Sequence, residues 1–449
     1  FQDKQRVYTI LIKALGVENK LEDAIKLSLC ALSQLDVHIP SPLPERSVVM
    51  SAWTEMTITL EKITDIEFMN FKKMSDSNTI ASMKFLHLLT MYTYFSNQEY
   101  FPIVLIQSLQ LTLRYGICKE SCVALASCSF YLCQFHYFKE SEHIGRLSIG
   151  VLEKLKAQEY LSQVYVCNYG GILCWIRNLK LNLEPLLFGY RMGMKIGDMQ
   201  HAMLSVSSYI KIGFLSGLNL RKVERDIQKF EKEMIEYNQT TVHRWMLPIK
   251  RAVLDLMLST DDPLAIAENS AIQHYLHQKV VEGNSLVVES SIYNFSAMVA
   301  YIYNKYDLAA ALMQKRYEVE KKMSRPTHWY GLTAFYDGLI FLALAHRSSE
   351  FEWTSDVGDI MSKMETFMQI GRSNIEHKLL LLEAEVKSKI GQKDIASQKY
   401  KLAIAAAEKN GFIHEQAIAT ERAADFFLRN NDKSNASLYY GRANSLYLK

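Results

Sequence analysis

The chain repeats itself over its final stretch at a spacing of forty residues, and this period constrains the fold more than any other feature. Leu381–Ala403 laid on Glu421–Ala443 (421 − 381 = 40) pairs Ala384 with Ala424, Val386 with Phe426, Ala396 with Ala436, Tyr400 with Tyr440 and Ala403 with Ala443. The second helix of each repeat carries Ala, Tyr and Ala at spacings of four and then three, which puts all three on one helical face. Small residues let a neighbouring helix come close, and the tyrosine fills the gap between helices. A helical pair of this kind cannot bury its apolar face alone, so the period predicts pairs stacked on one another. A degenerate copy, Ala24–Ser28–Ala31, lies within Lys20–Pro40, with serine in place of the aromatic.

Composition extends this reading to the rest of the chain. With 8 prolines and 19 glycines in 449 residues, and little alternation of Val, Ile and Thr, helix is expected almost throughout. The chain is 49% apolar and 22% charged with net charge +3, which excludes a disordered chain and a strongly basic nucleic-acid binder. No apolar run reaches the roughly 18–20 residues of a membrane span. The longest, Gly331–Ala345, is interrupted by Asp337 and reads as a buried helix. Seven cysteines at irregular spacings, mostly inside apolar stretches, fit a reducing, cytoplasmic setting. Phe1 is not an initiator methionine and the last helix runs to Lys449 without a stop signal. The chain is therefore expected to be part of a larger protein.

Breakers divide the chain into helices. A first hairpin is expected over 5–16 and 20–36, with Pro40, Pro42 and Pro44 as a rigid linker before a helix at 46–61. Asp76-Ser77-Asn78 caps a helix through Tyr94. Helices follow at 99–115, 119–137, 140–157, 160–177, 184–196, 199–216, 219–237, 241–258 and 263–279, the last opened by Asp261-Asp262-Pro263. Beyond the Glu282-Gly283-Asn284 turn come 286–304, 307–323, 327–346, 355–370, 374–390, 394–410, 412–429 and 433–449. A boundary around 258–285 would separate an N-terminal segment, 1–258, from a C-terminal segment, 259–449. Arg221–Glu236, dense in both charges, reads as a solvated helix face.

The search for chemistry is short. Cys118, Cys122, Cys128, Cys133 and His136 suggest a metal cluster, but zinc knuckles need Cys-x2-Cys on turns, and these lie along one helix among Val123, Leu125 and Phe130. Buried free cysteine packs as a small apolar residue. His274 and His277 have no third ligand near them in sequence. His414-Glu415 opens the zinc-protease pattern, yet Ile418 stands where the second histidine belongs. Phosphate loops, dinucleotide glycines, a nucleophile elbow and kinase signatures do not occur. Tyr330, Phe335, Tyr336 and Phe341 are read as core rather than ligand pocket, and Met192, Met194 and Met199 as gap-fillers. No catalytic, cofactor-binding or metal-ligating residue is assigned.

Several stretches together resemble one family. Asp23-Ala24-Ile25 through Ala31-Leu32 to Ile39-Pro40, Leu111–Gly116 with Ser121, Ala124 and Ala126, and Gly197-Asp198 with Ala202 are similar to its hairpins. Lys378–Gly391, Ala403–Gly411, Glu415-Gln416-Ala417 and Glu421 resemble its closing repeats. The family is the tetratricopeptide-like repeat region of large hybrid signalling proteins. Its members join a serine/threonine-kinase-like domain and an AAA-type (STAND) ATPase to the repeat region, a GAF domain and a histidine kinase. One departure stands out: the turn glycine Gly391 is Asn431 in the next repeat, and asparagine tolerates the left-handed conformation.

The resemblance implies an all-α, right-handed superhelix of antiparallel hairpins, an α-solenoid without catalytic residues of its own. It implies a cytoplasmic interaction and sensing scaffold that couples an ATPase switch to a histidine-kinase-type output, with ATP used only by flanking domains. The expected partners are a protein or small effector in the concave groove and the neighbouring ATPase and kinase domains, with no nucleic acid and no membrane span. The alternative is a free-standing adaptor that binds its partners in trans.

Overall fold

The computed structural model describes residues 2–18, 20–96, 99–257, 285–323, 329–348 and 352–449. It is all-α, 83% helical with no strand among the described residues, and its one β feature is an isolated parallel bridge between Lys73 and Ile117. No described helix is long and apolar enough to cross a membrane.

The helix ends follow the breakers. The first hairpin is Gln2–Val17 and Leu21–Ser33, and the proline-bearing segment leads to Arg46–Glu61. Asp76 accepts the backbone N–H of Thr79 at 2.7 Å at the head of Ser77–Ser96, as its position in the sequence requires. Two features depart from the expected pattern. A short helix, Asp65–Met69, forms in what read as a connection, started by a reciprocal Thr64/Glu67 capping box. The single helix expected at 160–177 is divided into Leu161–Cys167, a π-helical turn at Asn168–Ile172, and Leu173–Ile176. Gly170 and Gly171 lie in that turn, and a Cβ on Gly171 would sit 2.4 Å from the Phe130 ring.

The chain forms two compact units. The first comprises Phe1–Ile172 and Phe188–Ser205, the second Leu173–Leu187 and Val206–Lys449. The boundary expected at 258–285 and the histidines His274 and His277 lie outside the described residues. In the first unit, one apolar cluster gathers Trp53, Leu60, Phe68, Leu105, Leu125 and Val151, and another gathers Ile12, Leu32, Phe85 and Leu89. Cys122 and Cys128 belong to the former and Cys118 to the latter, with Cys133 also buried. Helix Ser121–Gln134 holds three of these cysteines, while Cys118 stands just before it.

The second unit contains the repeats. Helices Arg372–Lys389, Lys393–Asn410, Ile413–Arg429 and Lys433–Tyr447 pack each against the next. Lys399 pairs with Glu383, and the Tyr447 hydroxyl donates to Glu421 at 2.7 Å, so each pair folds back antiparallel about its turn. Ala396, Tyr400 and Ala403 are buried on one face, and Tyr400 packs on Phe426 at 5.3 Å. In the second repeat Ala436 and Ala443 are buried as matched, but the aromatic is displaced by one residue. Tyr439 turns inward onto Phe427 at 5.1 Å, and Tyr440 instead donates to Asp425. On Leu220–Glu236, Val223, Ile227, Phe230 and Met234 face inward at helical spacing, and the charges lie outside.

Candidate functional site

Three helices of the second unit shape a groove of about 530 Å³, within the size range of ligand pockets. Tyr306–Glu320 supplies Gln314, Tyr317 and Glu320, with Lys321 just beyond it. Leu332–Arg347 supplies Phe341, and Thr354–Ile370 supplies Asp356, Asp359 and Ile360. Of the aromatic residues expected in the core, Tyr330, Phe335 and Tyr336 are there. Phe341 instead lines the groove.

Behind the groove lies a buried ion pair. Arg316, 1% exposed, donates from Nη1 to Asp337 Oδ1 at 3.0 Å and from Nη2 to Asp337 Oδ2 at 2.6 Å. Tyr317 adds a third hydrogen bond to Asp337 at 3.0 Å, and Arg316 Nη1 also reaches Asn294 at 3.2 Å. A two-pronged pair of this kind offsets the cost of taking both charges out of water only while both partners remain. Burial works against the guanidinium's charge, but Asp337 outweighs it and holds the arginine above its usual range. Asp337 is the residue that interrupts the apolar run in sequence, and the interruption is what anchors Arg316.

Glu320 is held less completely. It accepts from the Ser290 hydroxyl at 3.0 Å, while Arg316 Nε lies 3.4 Å away and has no hydrogen-bond partner. Burial lifts the Glu320 carboxyl above its usual range, against the opposing pull of Arg316. Lys363, on the facing helix, is lowered by burial in spite of Asp337 and Glu320.

A second polar cluster lies deeper in the same unit. Glu415, 1% exposed, accepts from Lys378 at 2.8 Å and also pairs with His377, while Lys378 donates to the Asn374 carbonyl at 2.7 Å. His377 stacks on Phe412 at 4.7 Å. Burial opposes the Glu415 charge, but Lys378 and His377 overcome it and hold the carboxyl far below its usual range. Burial pushes the neighbouring His414 down to about 4. Glu415, the second residue of the protease-like pair in sequence, thus serves as the hub of an internal network, with His414 Nε2 3.7 Å from it. No described group of three or more His, Cys, Asp or Glu residues is arranged to hold a metal.

In the first unit Tyr160 donates to Glu120 at 2.8 Å, His87 packs edge-on to Tyr160, and His201 pairs with Asp198 at 2.9 Å. The cavity there, lined by His87, Thr90, Ser108 and Glu120, is about 10 Å³, too small for a substrate. Of these two, the groove of the second unit has room for a ligand. Apart from Phe341, whose aromatic run admits a pocket as well as the core reading, its residues carry no signal in the sequence, because its walls come from three helices and its acids look like ordinary helix-surface charges.

No protein-family model matches the chain, and no curated protein matches it.

Proposed function

We propose that this chain is a non-catalytic interaction and sensing scaffold, a tetratricopeptide-like right-handed superhelix within a multidomain signal-transduction ATPase/kinase. It would act in the cytoplasm, and a partner held by the repeats would bias an ATPase switch and a histidine-kinase-type output. The observation that carries this reading is the succession of antiparallel pairs from Arg372 to Tyr447, closed by small residues buried at a period of forty and by a tyrosine beside them. Stacked pairs offer an extended surface along which partners bind. The groove among Tyr306–Glu320, Leu332–Arg347 and Thr354–Ile370 supports a binding role, since it is open and amphipathic. The Glu415 cluster is instead enclosed and holds helices together.

The test is the coding sequence on either side of residues 1–449. ATPase phosphate-loop motifs before Phe1, and a GAF-like domain with a histidine-kinase core after Lys449, are the expected result. A stop codon close behind Lys449 with nothing catalytic upstream would replace this reading with an adaptor acting in trans.

A further inference from the structure

Three helices of the first unit bring polar side chains to one small cavity. Ser77–Ser96 contributes His87 and Thr90, Tyr100–Tyr115 contributes Ser108, and Glu120 stands at the head of Ser121–Gln134. Met83, Val123 and Ala124 complete the wall. At about 10 Å³ the space suits one water-sized guest and nothing larger.

The hydrogen bonds already made around the cavity decide what such a guest must offer. The Thr90 hydroxyl donates to the Leu86 carbonyl at 2.7 Å, and the Ser108 hydroxyl to the Val104 carbonyl at 2.9 Å. Both protons are committed, so each oxygen has only lone pairs to present. Glu120, 4% exposed, accepts from Tyr160 at 2.8 Å and has no ion-pair partner among the described residues. Lys119 beside it pairs with Glu159 instead, at 2.5 Å. A carboxylate so enclosed gains from every further donor it is given. His87 packs edge-on to Tyr160, next to the Glu120 bond, and its Nδ1 is buried without a hydrogen-bond partner. Burial holds this ring below its usual range and so uncharged at neutral pH.

We propose that the cavity binds a single structural water, which joins His87 to Glu120 and ties three helices of the first unit to one polar centre. The water accepts from His87 Nδ1–H and donates one proton to Glu120. Its second proton goes to the Ser108 or Thr90 oxygen. That gives three hydrogen bonds, the usual number for a buried water. A bare cation suits the lone pairs but is opposed by the Nδ1–H, whereas water can serve both.

The experiment is a crystal structure of the full chain that shows ordered solvent, joined to nitrogen-15 NMR of the histidine rings. A density peak at about 2.7–3.2 Å from both His87 Nδ1 and a Glu120 oxygen is expected, with the ring proton on Nδ1. His87→Phe keeps the edge-on packing against Tyr160, removes the donor and should lose the peak. The cavity without density, or the His87 proton on Nε2, would overturn the proposal. So would a peak ringed by five or more oxygens at about 2.4 Å, the mark of a bound cation. An undiminished peak in His87→Phe would overturn it as well. The unaltered chain can refute the proposal by itself, so the test stands whether or not the variant folds.

Discussion

Glycine marks two residues in the closing hairpins, and for different reasons. Gly391 turns the first repeat at φ 81°, with open space where a Cβ would go, and its counterpart Asn431 stands at φ 61°. Only the backbone conformation matters there. Gly391→Ala is expected to cost about 1–2 kcal/mol and Gly391→Asn less, since asparagine visits this region readily. Gly371 has a steric reason. A Cβ there would lie 1.7 Å from the Trp175 carbonyl oxygen, so Gly371→Ala should cost ~3 kcal/mol, read from urea unfolding. The repeat in the sequence made Gly391 legible, while the approach of Trp175, nearly two hundred residues earlier, left no trace in it. Histidines carry the pH dependence at this scale. Burial pushes His87 down to about 3 and His414 to about 4, from an ordinary value of 6.5. Between pH 6.5 and 4 the unfolded chain therefore takes up protons that the folded chain refuses, and stability falls as the pH drops through that window. Glu415, held low by Lys378 and His377, adds its own loss below its ordinary value of 4.5. The melting temperature should decline steadily from pH 7 to pH 4, and His414→Gln should flatten part of the decline. A melting temperature constant over that range would mean that these rings take up protons as readily in the folded chain as in the unfolded one.

At the scale of the helix, most of the fold was readable. Breakers and caps placed nearly every helix end within a few residues, because long helices with polar turns leave strong local marks. The misses have local causes. Thr64 and Glu67 cap a helix too short to show a period, and the Gly170-Gly171 pair opens a π-turn under Phe130 in the middle of an otherwise helical pattern. The partner of a buried charge was not readable either, as nothing in Asp337 alone names Arg316. Their pairing makes a sharp expectation. Arg316→Met leaves Asp337 buried without its cation and should cost about 3–5 kcal/mol, whereas Arg316→Met/Asp337→Leu should recover most of that loss. Equal destabilisation in the single and double variants would mean that packing, not charge, holds the two helices together.

At the scale of the whole chain, the strip Leu173–Leu187 decides how the second unit is built, and sequence order conceals it. The strip belongs with Val206–Lys449, although Phe188–Ser205 lies between them in the chain. Three residues fasten it. Asn178 donates to the Asn410 carbonyl at 2.9 Å and Lys180 to the Gly411 carbonyl at 2.6 Å, closing the free carbonyl end of helix Lys393–Asn410 with a cation where the helix dipole favours one. Asn374, 1% exposed, accepts from the Leu179 N–H at 3.1 Å and donates to the carbonyls of Cys174 and Arg177 at 2.9 and 2.8 Å. A local pattern cannot announce contacts across some two hundred residues, and the repeats alone would suggest that the closing hairpins stand by themselves. They do not. Asn374→Ala in the full chain would strand one buried donor and two buried acceptors, and about 2–4 kcal/mol of stability should go with them. Asn374→Asp keeps the acceptor for Leu179 but turns a charge on the two carbonyls, and should be at least as damaging. A fragment that begins at residue 206 should likewise melt below one that begins at residue 173, because it retains the repeats and loses the strip. Equal melting temperatures for the two fragments would show that the hairpins carry their own stability and that the strip only rests against them.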